Sequence, residues 1–219
     1  MVAAADFDAA QLTKMGKDEF GGIERPAESL PIRDEGKLVV SGGLRAGSFR
    51  IRDVGFVRAA VASVAPLPSE PDSAALRVKL QQANFVQALL GERLSDDLLP
   101  TPGGDAGAEV ILGHRAAMAS VMADPKNWEK NVGAMDQMIR TTYRWGFESA
   151  EYEPLRQRQL RMAELMADLF PRSDPHEVCQ GLLSSLVENR VYVGPIQEFA
   201  WMRDWLREVT AEELLAVYR

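Results

Sequence analysis

Residues 124–145 read DPKNWEKNVGAMDQMIRTTYRW, and within them Trp128, Val132, Met135 and Ile139 recur at the three- and four-residue spacing of one helix face. Asp124 followed by Pro125 has the chemistry of a helix start: a carboxylate that can accept from the free amides of the first turn, then a residue whose missing N–H costs nothing there. The same punctuation returns in Asp174 with Pro175, and both Asp174 with Glu177 and Thr210 with Glu213 have the spacing of a capping box. Around these marks lie further apolar stripes: Ile111, His114, Met118 and Val121; Val178, Leu182 and Leu186; Phe199, Met202, Trp205 and Leu206. Successive amphipathic helices joined by short turns bury their stripes most simply against one another, so this half predicts a helical bundle.

Working upstream, Asp72 opens a helix that carries Leu76, Leu80, Ala83 and Leu90 on one face and ends near Leu94. Before it, Val54, Val57, Val61 and Val64 follow Asp53 at helical spacing and stop at Pro66, which predicts another helix. From Lys37 the run Lys-Leu-Val-Val-Ser is followed by Gly42, Gly43 and Gly47 and then by Phe49 and Ile51 alternating with Arg50 and Arg52, the pattern of a small β-hairpin. Residues 1–36 mix charges with Gly and Pro and predict an arm with one short helix at residues 4–15. The expected fold is therefore mainly α: a compact bundle of about six to eight short amphipathic helices, with a small β-hairpin near the N-terminus and a flexible N-terminal arm. The organisation follows as arm (1–36), hairpin plus two helices (37–94), a Pro- and Gly-rich linker loop (95–107), and a helical bundle (108–219) packed with 37–94 as one domain.

Composition narrows the function. The 219 residues carry 25 Lys and Arg against 32 Asp and Glu, a net charge of -7, and a field of that sign repels polyanions, which makes nucleic acid an unlikely partner. The single cysteine, Cys179, has no partner for an internal disulfide and points to a reducing compartment. With no signal-like leader and no long apolar run, the sequence reads as cytoplasmic, with no membrane contact.

The catalytic inventory is thin. His114 falls in an apolar stripe, His176 sits in the first turn after Asp174 and Pro175, and Cys179 lies one helical turn beyond His176, where a thiolate pair is conceivable but packing explains the residue as well. Residues 41–47 are glycine-rich but lack the Gly-Lys-Ser/Thr ending of a phosphate-binding loop. No acid, histidine or cysteine pattern has metal-ligand spacing, so neither a cofactor nor a metal is expected. Arg140 and Arg144 share a helix face beside Tyr143 and Trp145, while Arg156, Arg158 and Arg161 stand near Glu148, Glu151 and Glu153. Trp201 and Trp205, four residues apart, could form half of a helical docking surface. These features favour a non-enzymatic interaction or structural subunit, an adaptor, chaperone or assembly factor. It would bind a protein partner or itself through Arg140, Tyr143, Arg144, Trp145, Trp201 and Trp205. The alternatives are a small-molecule enzyme using scattered acids with His114 or His176, and a local nucleic-acid contact through the arginines from Arg140 to Arg161.

Overall fold

A computed structural model of the chain describes residues 8–24, 36–40, 42–48, 52, 55–67, 70–95, 103–169, 175–187 and 190–219. In chain order these form α1 (Ala9–Phe20), β1 (Val57–Pro66), α2 (Ala74–Ser95), β2 (Gly104–Ile111), β3 (His114–Ala123), α3 (Trp128–Trp145), α4 (Ser149–Leu169), α5 (Pro175–Val187), α6 (Pro195–Glu208) and α7 (Ala211–Tyr218). The architecture is mainly α, as the sequence predicts, and it includes a small antiparallel sheet. The sheet has three strands in the order β1-β3-β2. Among the described residues no helix is long and apolar enough to cross a membrane.

Several elements stand elsewhere than the sequence pattern puts them. No strand occurs among described residues 36–48, so the expected hairpin is absent there, and Phe49 and Ile51 lie outside the described residues. The segment expected as a helix ending at Pro66 is β1, paired along its whole length with β3 from Val57↔Ala123 to Pro66↔His114. Its valines do recur at helical spacing, but valine is stiff at χ1 and packs well on a pleated surface, and the pairing with β3 decides the outcome. The stripe of Ile111, His114, Met118 and Val121 is likewise not helical: it is the β2–β3 hairpin, closed at Leu112 (φ 46°) and Gly113 (φ 75°). Two consecutive positive φ values are what a tight hairpin turn requires, and a leucine in the first of them gives no warning in the sequence. Ala116, Ala117, Met118 and Ala119 are all apolar, so the two-residue period of β3 is invisible to a polar–apolar reading.

The expected linker 95–107 also runs into structure, because β2 begins at Gly104. That glycine is there for close approach: a Cβ on it would stand 2.2 Å from the Leu94 carbonyl oxygen, so only Gly lets β2 lie against the end of α2. Gly91 meets β2 in the same way, its notional Cβ 3.3 Å from the Ala106 amide nitrogen. The short N-terminal helix is α1, shifted from residues 4–15 to Ala9–Phe20, with the Asp8 side chain accepting from the amides of Ala10 and Gln11.

α2 lies at the centre. Phe85, Val86 and Leu89 are buried with Phe147, Leu155, Leu160, Leu206, Val209 and Leu214 on the side of α4, α6 and α7. Leu90 and Leu94 are buried with Ala119, Val121 and Met135 on the side of the sheet and α3. A helix that meets neighbours on both sides shows no single apolar stripe, which is why Leu76, Leu80 and Ala83, expected as its inner face, are only half-buried. α3 begins at Trp128, one turn later than Asp124 suggests, because the Asp124 carboxylate accepts from Lys126 N at 2.7 Å within a preceding turn. Buried Asn131 then pins α3 to the sheet by donating to the Met122 carbonyl at 2.9 Å. The box at Thr210 and Glu213 is formed as the sequence predicts, each side chain accepting from the other's backbone amide.

Two ionic clamps hold the helices in place. Arg93 of α2 reaches Glu151 of α4 with both arms of its guanidinium (2.5 and 2.6 Å), donates to Thr142 Oγ1 at 2.6 Å and to the Gly146 carbonyl at 3.0 Å, and lies 4.9 Å from the Phe147 ring centre. Burial pushes the Glu151 carboxyl up, but the Arg93 hydrogen bonds and the Glu148 amide outweigh it and leave the group below its ordinary value. At the other end of α2, Asp72 does not cap the helix. Ser73 Oγ accepts from Leu76 N instead, which frees Asp72 to take Arg77 bidentately (2.9 and 2.6 Å) and the Val191 amide at 3.0 Å. Those bonds from Arg77, with the Val191 amide, hold the Asp72 carboxyl down to about 2, against the opposing effect of burial.

Replacing Arg93 by Met is expected to cost about 3 kcal/mol in urea denaturation, because Glu151 is left partly buried without its partner. Lys at the same position should recover less than half of that, since one ammonium cannot make the fork. For Asp72 the stabilisation is complete above the unfolded-state value of 3.8 and lost as pH falls towards about 2. Stability measured across that window should decline in the wild type and decline less in Asp72→Asn, which should itself be weaker by about 2 kcal/mol at neutral pH.

Candidate functional site

A concavity of about 880 Å³ lies between the helix-facing side of the sheet, α2, α3 and the end of α7. Val61 of β1, Ala117 and Ala119 of β3, and Val86 and Leu90 of α2 make an apolar floor, with Ser63 of β1 beside them. Alternation along the strands puts Ser63, Ala117 and Ala108 at one level and Ala65, Arg115 and Val110 at the next, so Arg115 shares the helix-facing side with the floor.

The rim is cationic. Arg140 and Arg144 rise from successive turns of α3, Arg115 from β3, and Arg219 follows α7. Asp136 is the one carboxylate side chain in the lining, and it accepts from Arg140 Nε at 2.7 Å, which raises the Arg140 pKa above its ordinary value. Arg115 donates to a neutral acceptor, Asn84 Oδ1 at 3.2 Å, and burial lowers its pKa. Arg219 donates to the carbonyls of Tyr143 and Arg144, and its guanidinium lies 5.9 Å from the centre of the Tyr143 ring.

Of the residues chosen from sequence, Arg140, Tyr143 and Arg144 therefore meet in one groove. Trp145 adjoins it as an exposed ring with the Arg144 guanidinium 5.1 Å from its centre. Trp201 and Trp205 lie elsewhere, on α6, where Trp205 packs edge-on against Phe85 (5.6 Å between centres, 86° between planes) as part of the core. The downstream arginines disperse. Arg156 pairs with Glu153 and donates to the Leu206 and Arg207 carbonyls at the end of α6, and Arg158 pairs with Glu92. Arg115 and Arg219 were not selected from sequence, since only the strand pairing and the return of α7 bring them beside α3.

β1 is an outer strand, with no strand paired beyond it among the described residues. From Ala59 to Pro66 it carries no charge, and Val61 is 47% exposed. Long uncharged edges are usually blunted, because their free amides and carbonyls take up another strand.

The two histidines stand on different elements, and Cys179 shares a helix with one of them. His114 opens β3 with Nδ1 3.0 Å from the Leu112 carbonyl oxygen, at the hairpin turn. His176 and Cys179 are on α5, Cys179 half-buried. Among the described residues there is no group of three His, Cys, Asp or Glu side chains that could hold a metal ion. The donor set of a hydrolytic metal, commonly three protein ligands, is not met by these residues.

No protein-family model matches the chain, and no curated protein does. Its fold, however, matches solved peptidases over 97% of its length. A predicted insulinase-family protease from Yersinia pestis is similar with a TM-score of 0.78 at 11% identity, the chain spanning 46% of that protein. The periplasmic protease PqqL from Escherichia coli is similar with a TM-score of 0.72 at 18% identity, the chain spanning 24% of it. A variant of the ferredoxin protease FusC, solved in complex with Arabidopsis ferredoxin, gives 0.71 at 14% identity and again 24% of that chain. At these identities the likeness is one of fold, and the chain spans a quarter to a half of the proteins it matches. It overturns the expectation of a non-enzymatic adaptor, chaperone or assembly factor: the neighbours sharing this fold are peptidases. The sequence gives no local sign of this likeness, which at 11–18% identity lies in the fold.

The tryptophans test the division between core and groove. Trp205→Ala is expected to lower the free energy of unfolding by about 3 kcal/mol, whereas Trp145→Ala, at an exposed ring, should change it by less than about 0.5 kcal/mol in the same chemical denaturation.

Proposed function

We propose that the chain is a polypeptide-binding domain of an insulinase-type peptidase, with β1 as the edge on which an extended stretch of substrate docks and with the hydrolytic centre supplied from outside the described residues. The observation that carries this reading is the peptidase fold over 97% of the chain, together with a ten-residue outer strand that has no strand paired beyond it among the described residues and lies beside the groove. Strand addition suits a protein that must accept many sequences, because main-chain hydrogen bonds supply affinity without reading side chains. The protein partner expected from sequence becomes, in this proposal, the polypeptide substrate, as ferredoxin is the protein bound to FusC in its solved complex. Cytoplasmic residence, which the lone Cys179 favours, is retained as part of the proposal, and fractionation of the source cell decides it against a periplasmic location like that of PqqL.

The test is fluorescence anisotropy of the purified chain with a labelled, extended ten-residue peptide, beside a cleavage assay on the same peptide. Saturable binding that is abolished by N-methylating alternate peptide amides, with no cleavage, is the expected result. Absence of binding would remove the docking role. Chelator-sensitive cleavage by the chain alone would show that it holds the hydrolytic centre itself.

A further inference from the structure

Resting on that reading of β1, we infer that the arginine-rimmed groove selects polypeptide segments bearing carboxylate side chains at alternate positions. A segment paired to the outer edge of β1 continues the sheet, and every second side chain then points to the helix side, at a repeat of about 6.8 Å. That is the side on which Val61 and Ser63 of β1 line the groove, so these alternate side chains face the cationic rim.

The rim has cationic capacity to spare. Four guanidiniums, those of Arg115, Arg140, Arg144 and Arg219, line the groove against the single side-chain carboxylate of Asp136, which Arg140 already engages. The hydrogen bonds of Arg115 and Arg219 go to neutral oxygens, an amide and two backbone carbonyls. Arg115 is in addition partly desolvated and has no carboxylate partner among the described residues, the setting in which an incoming carboxylate gains most from charge-assisted hydrogen bonds. The local charge opposes that of the whole chain, which is -7, so the rim does not follow from a generally basic surface. A nucleic acid would satisfy the arginines but could not pair with the β1 main chain, which is why a polypeptide fits both features together.

The experiment uses the full chain and three labelled ten-residue peptides in which Thr alternates with Glu, Gln or Lys, measured by anisotropy at about 150 mM salt. The Glu peptide is expected to bind about tenfold more tightly than the Gln peptide and the Lys peptide more weakly than either. Arg115→Gln and the exposed Arg144→Gln should each lower the ratio of Glu-peptide to Gln-peptide affinity by about threefold to tenfold. Equal binding of Glu and Gln peptides would overturn the selectivity and leave docking on β1 standing. Failure of all three to bind would overturn the docking reading and this inference with it. Displacement of the Glu peptide by an oligothymidine of equal charge at equal concentration would assign the groove to nucleic acid instead.

Discussion

Arg93 is the residue through which the helical layers communicate. One planar cation joins α2 to Glu151 at the start of α4, to Thr142 and Gly146 at the end of α3, and to the face of Phe147 between them. The turn from α3 into α4 has to reverse the chain within a few residues, and Gly146 does so at φ 76° with its notional Cβ only 3.4 Å from Leu215 of α7. Such a turn exposes carbonyls that need donors, and a guanidinium with five N–H groups in a fixed plane can serve a carboxylate, a hydroxyl and a carbonyl together. With that corner fixed, Phe147 enters the core beside Phe85 and Leu214, and α7 closes over it.

The consequence for the groove is geometric. α3 is held by Asn131 at its N-terminal end, through the Met122 carbonyl, and by the Arg93 corner at its C-terminal end. A helix restrained at both ends presents Arg140 and Arg144 at a fixed height over the sheet. α7 is restrained in turn by its capping box and by Tyr218, whose hydroxyl donates to the Ile139 carbonyl at 3.4 Å, and it delivers Arg219 to the same rim. The cationic rim is thus assembled from three distant parts of the chain by restraints that lie in the core rather than in the groove itself.

Legibility in the sequence tracked how local the deciding interaction is. The capping box at Thr210 and the face shared by Arg140 and Arg144 depend on residues three or four apart, and both are read directly. α2 was legible as a helix because it is long, but its buried side was not, because two layers pack against it. The sheet was misread wherever pairing outweighed pattern: valine at helical spacing in β1, an alanine-rich β3 with no visible alternation, and a hairpin turn that places Leu112 at positive φ. Arg115 and Arg219 carry no signal at all in one dimension, since they meet α3 only through the strand register and the return of the last helix.

The fold and the outer strand answer to different physical constraints. The features that define the fold, an antiparallel sheet covered on one side by a central helix, are held by apolar clusters, close-packed glycines and the Arg93 and Asp72 clamps. None of these is a chemical group of hydrolysis. The stability of the fold is therefore set by packing and by these clamps. An open edge is different, because it carries a standing cost in self-association that folding alone gives no reason to accept. β1 keeps its length, its exposure and its lack of charge from Ala59 to Pro66, and in a chain where 26% of residues are charged that is a departure from its own surface composition.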